Sequence, residues 1–434
     1  MHLRRANAAA EVLRMAEGGG DGDASNSKSN AKRVLIVGGT GRIGTAAAAH
    51  LVLRGKGSKL ACDVVLGGRD PVKGGQAVDE VTQIAGGPAA VASGGCSVSY
   101  QQLDWTDQDS LKSALAGCDC VMHTAGPFFG QNAAVLRSAI ECGVPCYVDV
   151  ADPPDHIEAS KALKDAAAKS KTCALICSGA FPGLSNVMAV EAAEMLGEPV
   201  KTLAFSYFTA GLGGSGPLNL YITNLGFGEE VETFRGGKLQ RQRNAGQDAR
   251  NVEFFIDEDD ESYKRVGTVS TWAWPFPEGA TVAKSLGITG DSRVAMGTAP
   301  DVWNVIMGLL VELVPRDLWK NEAFSLGMAK FSEPMVWVTD RFVGETHCIR
   351  VDVAGESGKR VTAVQAHDSF RWCVGQSSAE FALDIMGGAS ARAGVHLPEE
   401  LYSLEDSSAR KRILGSISSA KGTFTYRYKL VEKS

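Results

Sequence analysis

The sequence predicts an α/β fold in which a doubly wound parallel sheet is followed by an α+β domain with a mostly antiparallel sheet. Two observations carry this prediction. Short apolar runs alternate with helical segments over about 150 residues, as in parallel strands joined by helices, and strand-like runs dominate after about residue 200. We expect a disordered extension at 1–30, a parallel-sheet domain at 31–195, the α+β domain at 196–370 and a segment at 371–434 that returns to the first sheet.

The composition limits the class of protein. A chain of 434 residues is too long for one ordinary domain, and its 44% hydrophobic content is enough for real cores. The net charge of −6 argues against a nucleic-acid surface, where a basic patch is expected. Within 1–30, a helix-prone segment with three arginines precedes a polar, glycine- and serine-rich stretch. The segment is either a transit-peptide remnant, as in chloroplast proteins, or a plain tail; Glu11 and Glu17 weaken the first interpretation.

A strand, a glycine cluster and a helix follow one another from Val34. The run "VLIV" predicts a buried strand, and Gly39, Gly41 and Gly44 then take the G-x-G-x-x-G spacing before the helical "TAAAAHLVLRG". In this context the spacing predicts a dinucleotide-binding Rossmann domain. The first glycine permits the turn, the second lets backbone approach a pyrophosphate, and the third lets helix and strand pack. The expected cofactor-binding residues of the loop are Gly38, Gly39, Thr40, Gly41, Arg42, Ile43 and Gly44.

The second apolar run, "CDVVLGG", bears on which dinucleotide binds. NAD-binding versions usually place an acid at the tip of this strand, where it holds the ribose 2′-hydroxyl. Here the tip carries Arg69, with Lys73 a turn later, and a cation suits the 2′-phosphate of NADP. We therefore expect NADP(H) rather than NAD, with Arg42 as a second contact. Asp70 is the competing feature, but we expect it to cap the helix that begins at Pro71.

Four more strands are predicted before residue 184. They are "VSYQQLDWTD", "CVMHTAGPF", "CYVDVAD" and "TCALICSGAFPG", with helical segments between them. Asp104, at the end of the first of these strands, occupies a position where an acid often meets the adenine amino group. Ala125, Gly126 and Pro127 open the crevice at the carboxyl ends of the strands, where the cofactor is expected.

Three segments, 125–128, 149–152 and 179–186, converge on the expected position of the nicotinamide. Either Asp149 or Asp152 orients an amine or imine there, or each caps the helix after Pro153. Similarly, the helix that begins at Ser185 either binds a substrate carboxylate or is simply capped at this point. The candidate substrate-binding residues are Phe128, Asp149, Phe181, Ser185 and Asn186.

Acid–base candidates are few, and their spacing is not specific. Tyr207 precedes a glycine loop at 211–216, which could close over a substrate together with Thr209. His156 is a candidate acid or base, although a lone histidine on a helix is usually solvated or structural. Short-chain dehydrogenases need a tyrosine and a lysine four residues apart, and none of the eight tyrosines has a lysine at that position. The catalytic candidates are Asp152 and Tyr207.

Several stretches resemble the saccharopine dehydrogenase-like (saccharopine reductase-type) family. They include "HTAGPFFGQNAAVLRSAIECGVPCYVDVAD", "SGAFPGLSNVMAVEAAE", "FSYFTAGLGGSGPLN", "GTAPDVWNVIM" and "SSAEFALDIMGGASARAGVHLPEE", and together they cover about 32–400. The resemblance is closest to plant and algal plastid-type members. It implies a Rossmann domain with an inserted α+β domain, and an NADP(H)-dependent oxidoreductase that acts on a small amino- or imino-acid-like substrate. Saccharopine reductases proper use NADPH to reduce an imine formed from glutamate and an aldehyde.

The second half of the chain is expected to form the inserted domain. "TLAFSYFTA" predicts a strand and "PLNLYITNLGFGEE" a helix. "MVWVTDRFVGETHCIRVDVAGE" and "RVTAVQAHDSF" predict antiparallel strands, with a hairpin turn at "GESGK". The helix "SAEFALDIMGG" is then expected to return to the first domain.

Ten cysteines are scattered along the chain, several inside apolar runs, which indicates free thiols in an intracellular reducing compartment, either chloroplast or cytoplasm. No cysteine or histidine set has zinc spacing, so we expect no metal site. No run reaches the roughly 18 apolar residues that span a bilayer. The apolar stretch 302–314 is expected to form a buried helix, with a membrane-surface helix as the alternative. The expected partners are a small-molecule substrate and a second copy in a homodimer.

Two other functions stay open at this point. A dinucleotide-binding regulatory or scaffold protein without turnover would explain the missing proton donor. A peripheral protein on lipid surfaces would use 302–314. Cofactor fluorescence with and without substrates tests the first of these, and flotation with lipid tests the second.

Overall fold

The computed structural model describes residues 31–55, 60–211, 217–242 and 246–432. The extension predicted at 1–30 lies outside the described residues, as does most of the glycine loop predicted at 211–216. The described strands form two seven-stranded sheets and one two-stranded sheet. The strands, numbered in chain order, are β1 (Lys32–Val37), β2 (Cys62–Gly68), β3 (Ser97–Gln102), β4 (Cys120–His123), β5 (Cys146–Asp149), β6 (Cys173–Leu175), β7 (Val200–Ala210), β8 (Val231–Arg235), β9 (Lys238–Gln242), β10 (Arg250–Glu253), β11 (Thr268–Ala273), β12 (Ser292–Ala299), β13 (Thr346–Gly355), β14 (Arg360–His367), β15 (Gly394–His396) and β16 (Thr423–Val431).

Helices connect and cover these strands. In chain order, the described helices are α1 (Arg42–Gly55), α2 (Pro71–Ile84), α3 (Pro88–Ser93), α4 (Gln108–Leu115), α5 (Ala134–Glu141), α6 (Pro154–Lys161), α7 (Lys164–Ser170), α8 (Leu184–Leu196), α9 (Pro217–Phe227), α10 (Glu261–Arg265), α11 (Glu278–Leu286), α12 (Val302–Leu313), α13 (Arg316–Trp319), α14 (Glu322–Val343), α15 (Phe370–Met386), α16 (Pro398–Leu401) and α17 (Ser407–Ser418).

The first sheet is parallel and has the strand order β15-β6-β5-β4-β1-β2-β3. The apolar run Val34–Val37 is buried on both faces, as expected for a central strand of a parallel sheet. The chain runs outward through β2 and β3 and then returns to the other side of β1 to form β4. Ligands of such sheets bind where the strand order reverses, so the crevice lies beside the carboxyl end of β1. The predicted doubly wound Rossmann fold is confirmed.

The second sheet has the order β10-β11-β12-β7-β13-β14-β16. β7 and β12 pair in parallel, and the other pairs are antiparallel. The predicted hairpin is confirmed, because β13 and β14 pair in antiparallel register around 356–359. The prediction of a second, mostly antiparallel sheet is therefore correct.

Two predictions for the second half were wrong. The stretch 335–343, expected as a strand, is the last part of helix α14. Its run of valines and aromatics favours a strand locally, but the partly buried residues Ser332, Val336 and Thr339 recur along α14 at helical spacing. The stretch 302–314 does form a helix, α12, but within this fully described helix only Asn304 and Val311 are buried. Its apolar residues are mostly exposed, contrary to the expected buried helix.

The chain after residue 370 contributes to both sheets. Helix α15 packs against α1 of the first domain, as expected, and β15 joins the first sheet, whereas β16 pairs with β14 in the second. Buried Glu380 of α15 accepts from His50 and Arg54 of α1, both at 2.7 Å. The domain boundaries themselves stay predictions, since the described chain forms one compact unit from residue 31 onward.

The crossing of α15 over α1 predicts a defined destabilisation. A Cβ at Gly375 would lie 2.8 Å from both Ala46 Cβ and Ala47 N. We expect Gly375→Ala to lower the free energy of unfolding by about 1–3 kcal/mol, the range for overpacked cores. Gly415→Ala is the matched control, because a Cβ there has no described neighbour within 4 Å, and it should be neutral or stabilise α17 by up to about 1 kcal/mol. Urea unfolding that finds the two variants equal would contradict this packing.

Candidate cofactor and substrate site

The glycine loop between β1 and α1 forms an open cradle. A Cβ at Gly39 would lie 2.8 Å from Ile36 O, and one at Gly44 would lie 2.5 Å from Gly38 O. The chain's own backbone thus requires these two glycines. A Cβ at exposed Gly41 would meet only Gly38 O among the described atoms, at 3.1 Å. The space beyond Gly41 therefore suits a ligand that approaches the backbone, as a dinucleotide pyrophosphate does.

The tip of β2 presents Arg69 to solvent. The expectation for Asp70 is confirmed: its carboxylate caps α2 by accepting from the amides of Val72 (2.9 Å) and Lys73 (3.3 Å). The Asp70 carboxylate is therefore already hydrogen-bonded to the first turn of α2. Arg69 and Lys73, on either side of it in the chain, are exposed. The other charged side chains exposed at the strand tip are therefore cationic.

Two other predicted cofactor contacts already have protein partners. Arg42 Nη2 lies 3.7 Å from Glu345 Oε1, which links the glycine loop to the residue before β13. A contact from Arg42 to a 2′-phosphate would compete with this carboxylate. Asp104 Oδ1 accepts from Thr106 N (3.0 Å) and Thr106 Oγ1 (2.8 Å), and these bonds lower the pKa of Asp104. Its predicted contact with the adenine amino group stays a prediction.

The loop after β4 is held in place by a glutamine that the sequence reading did not single out. Gln131 Nε2 donates to the carbonyls of Ala125 (2.9 Å) and Pro127 (2.7 Å), and Gln131 Oε1 pairs with His123 Nε2 at 2.8 Å. Burial lowers the pKa of His123 to about 4, so its ring is neutral at pH 7. Phe128 packs edge-on against this ring, with the centroids 4.8 Å apart. The loop after β4 is thus fixed by contacts within the protein, and its predicted role beside the nicotinamide stays a prediction.

Asp149, at the end of β5, is fully buried and accepts several hydrogen bonds. Its partners are Tyr147 Oη at 3.1 Å, Cys177 N at 2.8 Å and, at 3.4 Å, His156 Nε2. Burial acts to raise the pKa of Asp149, but the hydrogen bond and charge of His156, with the Cys177 amide, lower it overall. Asp149 thus joins β5, β6 and α6 as a carboxylate, and its predicted contact with substrate stays a prediction. The N-cap of α6 is Pro153, so the expectation that Asp149 or Asp152 caps this helix is wrong.

Asp152 differs from Asp149 in its environment. It follows β5 and is partly buried. Burial raises its pKa to about 6, and the negative charge of Asp149 adds to this rise. A carboxyl with this pKa exchanges a proton close to neutral pH, as a general acid or base must.

Tyr207 of β7 lies against the loop that follows β6. Its ring stacks on Phe181 with the centroids 4.2 Å apart and an interplanar angle of 12°. Its hydroxyl donates to Glu278 Oε1 at 2.7 Å, and Ser185 Oγ lies 3.3 Å from the same oxygen. The structure therefore brings together the predicted residues Tyr207, Phe181 and Ser185 at the contact between the two sheets.

Glu278, the first residue of α11, is the main residue of this cluster that the sequence reading missed. It is fully buried, and burial raises the pKa of its carboxyl to about 8. Its Oε2 atom has no hydrogen-bond partner among the described atoms. Glu278 therefore holds a proton at neutral pH. In the sequence, Glu278 stands in "PEG", where an acid is ordinary because it lies in the first turn of a helix. No local pattern therefore predicts that it is buried or functional.

Both polar atoms of the Asn186 side chain are hydrogen-bonded within the protein. Asn186 Oδ1 accepts from Gly183 N at 2.9 Å, so the capping alternative for the start of α8 is correct. Asn186 Nδ2 donates to Glu399 Oε2 at 2.7 Å, and burial raises the pKa of Glu399. The predicted contact of Asn186 with a substrate carboxylate stays a prediction.

The described residues also bear on metals, membranes and thiols. No three histidine, cysteine, aspartate or glutamate side chains gather as a metal site within the part of the chain that the structure describes. Over the same residues, no helix has both the length and the apolar character needed to cross a bilayer. All ten cysteines are free thiols, and Cys142 alone among them is exposed.

Residues 34–139 match the model of the NAD dependent epimerase/dehydratase family. The match covers the glycine loop and the first four strands and ends within α5. None of the curated proteins matches the chain.

Similar solved structures cover about a third of this chain. Pen from Bacillus thuringiensis is 18% identical over 34% of this chain and 51% of its own, with a TM-score of 0.26. MalC reductase/Diels-Alderase from Malbranchea aurantiaca is 17% identical over 34% and 72%, with a TM-score of 0.27. A short-chain dehydrogenase/reductase from Veillonella parvula in complex with NADP is 13% identical over 33% and 67%, with a TM-score of 0.24. The chain thus spans about half of the Bacillus protein.

The fold and the cradle together define an NAD(P)-binding α/β protein. Within it, residues 34–139 are the part that matches the NAD dependent epimerase/dehydratase family model.

The open space at Gly41 predicts the effect of filling it. Gly41→Val should weaken NADPH binding beyond detection, because a branched side chain would occupy the path of the pyrophosphate. The fold should persist, since a Cβ there has one described neighbour, at 3.1 Å. Isothermal titration with NADPH, alongside circular dichroism, measures both effects. Gly75→Val in α2, where a Cβ meets nothing within 4 Å, is the control that should still bind. Unchanged affinity in Gly41→Val would refute the assigned cradle.

Proposed function

We propose that this protein is an NADP(H)-dependent oxidoreductase that acts on a small amino- or imino-acid-like substrate. The observation that carries the proposal is the open cradle at Gly41 in the first domain, where a dinucleotide could approach the backbone. Bound NADPH would supply a hydride at the carboxyl edge of the first sheet. The chain's own groups would then position the substrate and provide the proton.

The preference for NADP over NAD rests on the strand tip. Arg69 is exposed where an NAD-binding domain usually places an acid. The neighbouring acid, Asp70, caps α2 and is occupied by two backbone amides. A guanidinium can hold a phosphate through two parallel charge-assisted bonds. Lys73, in the first turn of α2, would add a second positive charge.

The Tyr207–Glu278 pair is our candidate for the proton source. Glu278 is protonated below about pH 8 and lies within hydrogen-bonding distance of Tyr207. For this transfer the hydrogen bond would first reverse, so that the protonated Glu278 carboxyl donates to the Tyr207 oxygen; the Tyr207 hydroxyl proton would then move to the substrate as the Glu278 proton replaces it, which leaves Glu278 as a carboxylate. Such a relay would replace the tyrosine–lysine pair of short-chain dehydrogenases, which this sequence lacks.

The proposed substrate class rests on the charges at the crevice. Asp152 is partly ionised near neutral pH, and an ionised carboxylate attracts a protonated amine or iminium. The resemblance to saccharopine reductase-type proteins leads to the same class of substrate. The assay is NADPH oxidation with 2-oxo acids and aldehydes, each in the presence and absence of primary amines. Turnover that requires the amine would support imine reduction. Cofactor binding without turnover over this panel would favour a regulatory or scaffold protein.

Arg69 predicts the cofactor preference quantitatively. A bidentate pair with a phosphate contributes roughly 1.5–3 kcal/mol net. Arg69→Ala should therefore weaken NADPH binding by about 10- to 150-fold and leave NADH affinity nearly unchanged. Arg360→Ala, at an exposed arginine of β14, is the matched control. If NADPH and NADH binding weaken equally, Arg69 holds the loop rather than the phosphate. If neither affinity changes, Lys73 and Arg42 are the remaining candidates for binding the 2′-phosphate.

The Tyr207–Glu278 pair predicts a dependence of rate on pH. Because the raised pKa of Glu278 keeps it protonated below about pH 8, the reduction rate should fall as the pH rises through that value. Glu278→Gln cannot supply a proton, so its rate should be low and show no inflection there. Tyr207→Phe keeps the stack on Phe181 but should lower kcat by about 10²- to 10⁴-fold, with NADPH affinity unchanged.

The control for this pair is a second buried tyrosine with an acidic partner. Tyr402 donates to Asp384 Oδ2 at 3.0 Å, so Tyr402→Phe removes an equivalent buried hydroxyl away from the crevice. Its kcat should stay near the wild-type value. A Tyr207→Phe variant that turns over at the wild-type rate would exclude the pair as the proton source, while leaving the cofactor assignment intact.

A further inference from the structure

Two neighbouring helices of the second domain expose an apolar surface, which we call the α12/α14 face. Leu313 is 75% exposed on α12, and Phe331 and Phe342 are 69% and 85% exposed on α14. Such exposure of large apolar side chains at helical spacing is unusual for a free protein surface. The exposed apolar residues of the face are Val302, Val305, Ile306, Leu309, Leu313, Phe331, Met335, Trp337, Val338 and Phe342.

The inner sides of both helices are already used by the fold. Met307 and Leu310 of α12 and Phe324 and Met328 of α14 pack around one small core that includes Trp319. The two helices lie side by side, since Trp303 Nε1 donates to Thr339 Oγ1 at 3.1 Å. The exposed stripes are therefore outer surfaces of a packed helix pair, not frayed elements.

The face is large enough for a stable protein interface. Its three aromatic side chains, at about 150–250 Å² each, together expose roughly 400 Å². The seven aliphatic side chains bring the exposed apolar surface to the order of 1,000 Å². That exceeds the few hundred Å² of ordinary monomer patches and reaches the roughly 800 Å² that each partner buries in a standard interface.

Four exposed apolar residues of α14 are symmetrically spaced along the helix, and we call them the α14 stripe. Phe331, Met335, Val338 and Phe342 are separated by four, three and four residues, so the stripe reads alike in both directions. Around a two-fold axis between Met335 and Val338, Phe331 would meet Phe342 of a second copy, and Met335 would meet Val338 of that copy. A two-fold dimer needs this kind of self-complementary surface.

The charges favour a second copy over a lipid surface. The exposed charged residues within 301–342 are three cations and four acids. A helix pair that lies on anionic lipid carries a polar side rich in lysine and arginine, which this surface lacks. The aromatic, methionine and arginine side chains of α14 match the composition of protein interfaces. Among them, the Arg341 guanidinium carbon lies 3.6 Å from the centroid of the Trp337 ring.

We infer that the α12/α14 face is the interface of a homodimer, in which α14 packs antiparallel against α14 of a second copy with Phe331 opposite Phe342. The inference is independent of the proposed chemistry.

Sedimentation equilibrium of the full chain at micromolar concentration tests this inference. The wild type should have twice the 45.7 kDa chain mass. Phe331→Lys and Phe342→Glu should each weaken dimerisation by at least about 30-fold, as at an interface hot spot. The double variant should dimerise at least 10-fold more tightly than either single variant, because the introduced lysine of each copy would face the introduced glutamate of the other; this is a difference of about 1.4 kcal/mol.

Matched measurements separate this interface from other causes. Leu239→Glu, at a 52% exposed leucine of β9, should leave the dimer unchanged. NADPH affinity should stay at the wild-type value in all variants, and the unfolding midpoint should fall only by the amount that the lost association accounts for. A monomeric wild type, dimers unaffected by either single change, or a double variant no tighter than the singles would each overturn the inference. So would a monomer that floats with phosphatidylcholine–phosphatidylserine vesicles and loses flotation in Phe342→Glu, because the face would then bind lipid.

Discussion

The close approach of backbone segments around the glycine loop is the constraint on which the first domain depends. Gly38 has a φ of +82°, and a Cβ there would lie 2.8 Å from the backbone of Ala125 after β4. A Cβ at Gly68 would collide with the Thr40 side chain at 2.6 Å, so the tip of β2 also closes on the loop. On the other side of α1, Gly375 lets α15 approach equally closely. The cradle is thus shaped by contacts from three separate segments, and Gly41 is left open at its centre.

Two buried carboxyl groups near the crevice have opposite protonation states for a physical reason. Asp149 receives hydrogen bonds from a histidine, a tyrosine and a backbone amide, which together outweigh the cost of burying its charge. Glu278 is equally buried, but the side chains that donate to it are hydroxyls, and its second oxygen has no described partner, so its proton is retained. The number and charge of the donors therefore decide which carboxyl stabilises the fold as an anion and which can release a proton.

The sequence was most informative for features formed by residues that are close together in the chain. The strand, the glycine spacing and the cap at Asp70 are all short-range features, so each could be predicted, as could the parallel sheet that they begin. The Tyr207–Glu278 pair is different, because the two residues are 71 positions apart and meet only when β7 and α11 pack. Likewise, Gln131 is one glutamine among several until its amide meets the Ala125 and Pro127 carbonyls.

The wrong predictions for α12 and α14 both concern apolar stretches, but their causes differ. Apolar periodicity reports that a helix face avoids water, but it does not say whether this chain or another molecule covers that face. In α12 the sequence pattern led to a buried helix, whereas the fold buries Asn304 and leaves Leu309 and Leu313 outside. In α14, β-branched residues favoured a strand, although Phe331, Val338 and Phe342 already had helical spacing. An apolar helix face that the fold leaves exposed can still associate with another molecule. Which apolar residues remain exposed is known only from the structure, because the sequence pattern is the same for a covered and an uncovered face.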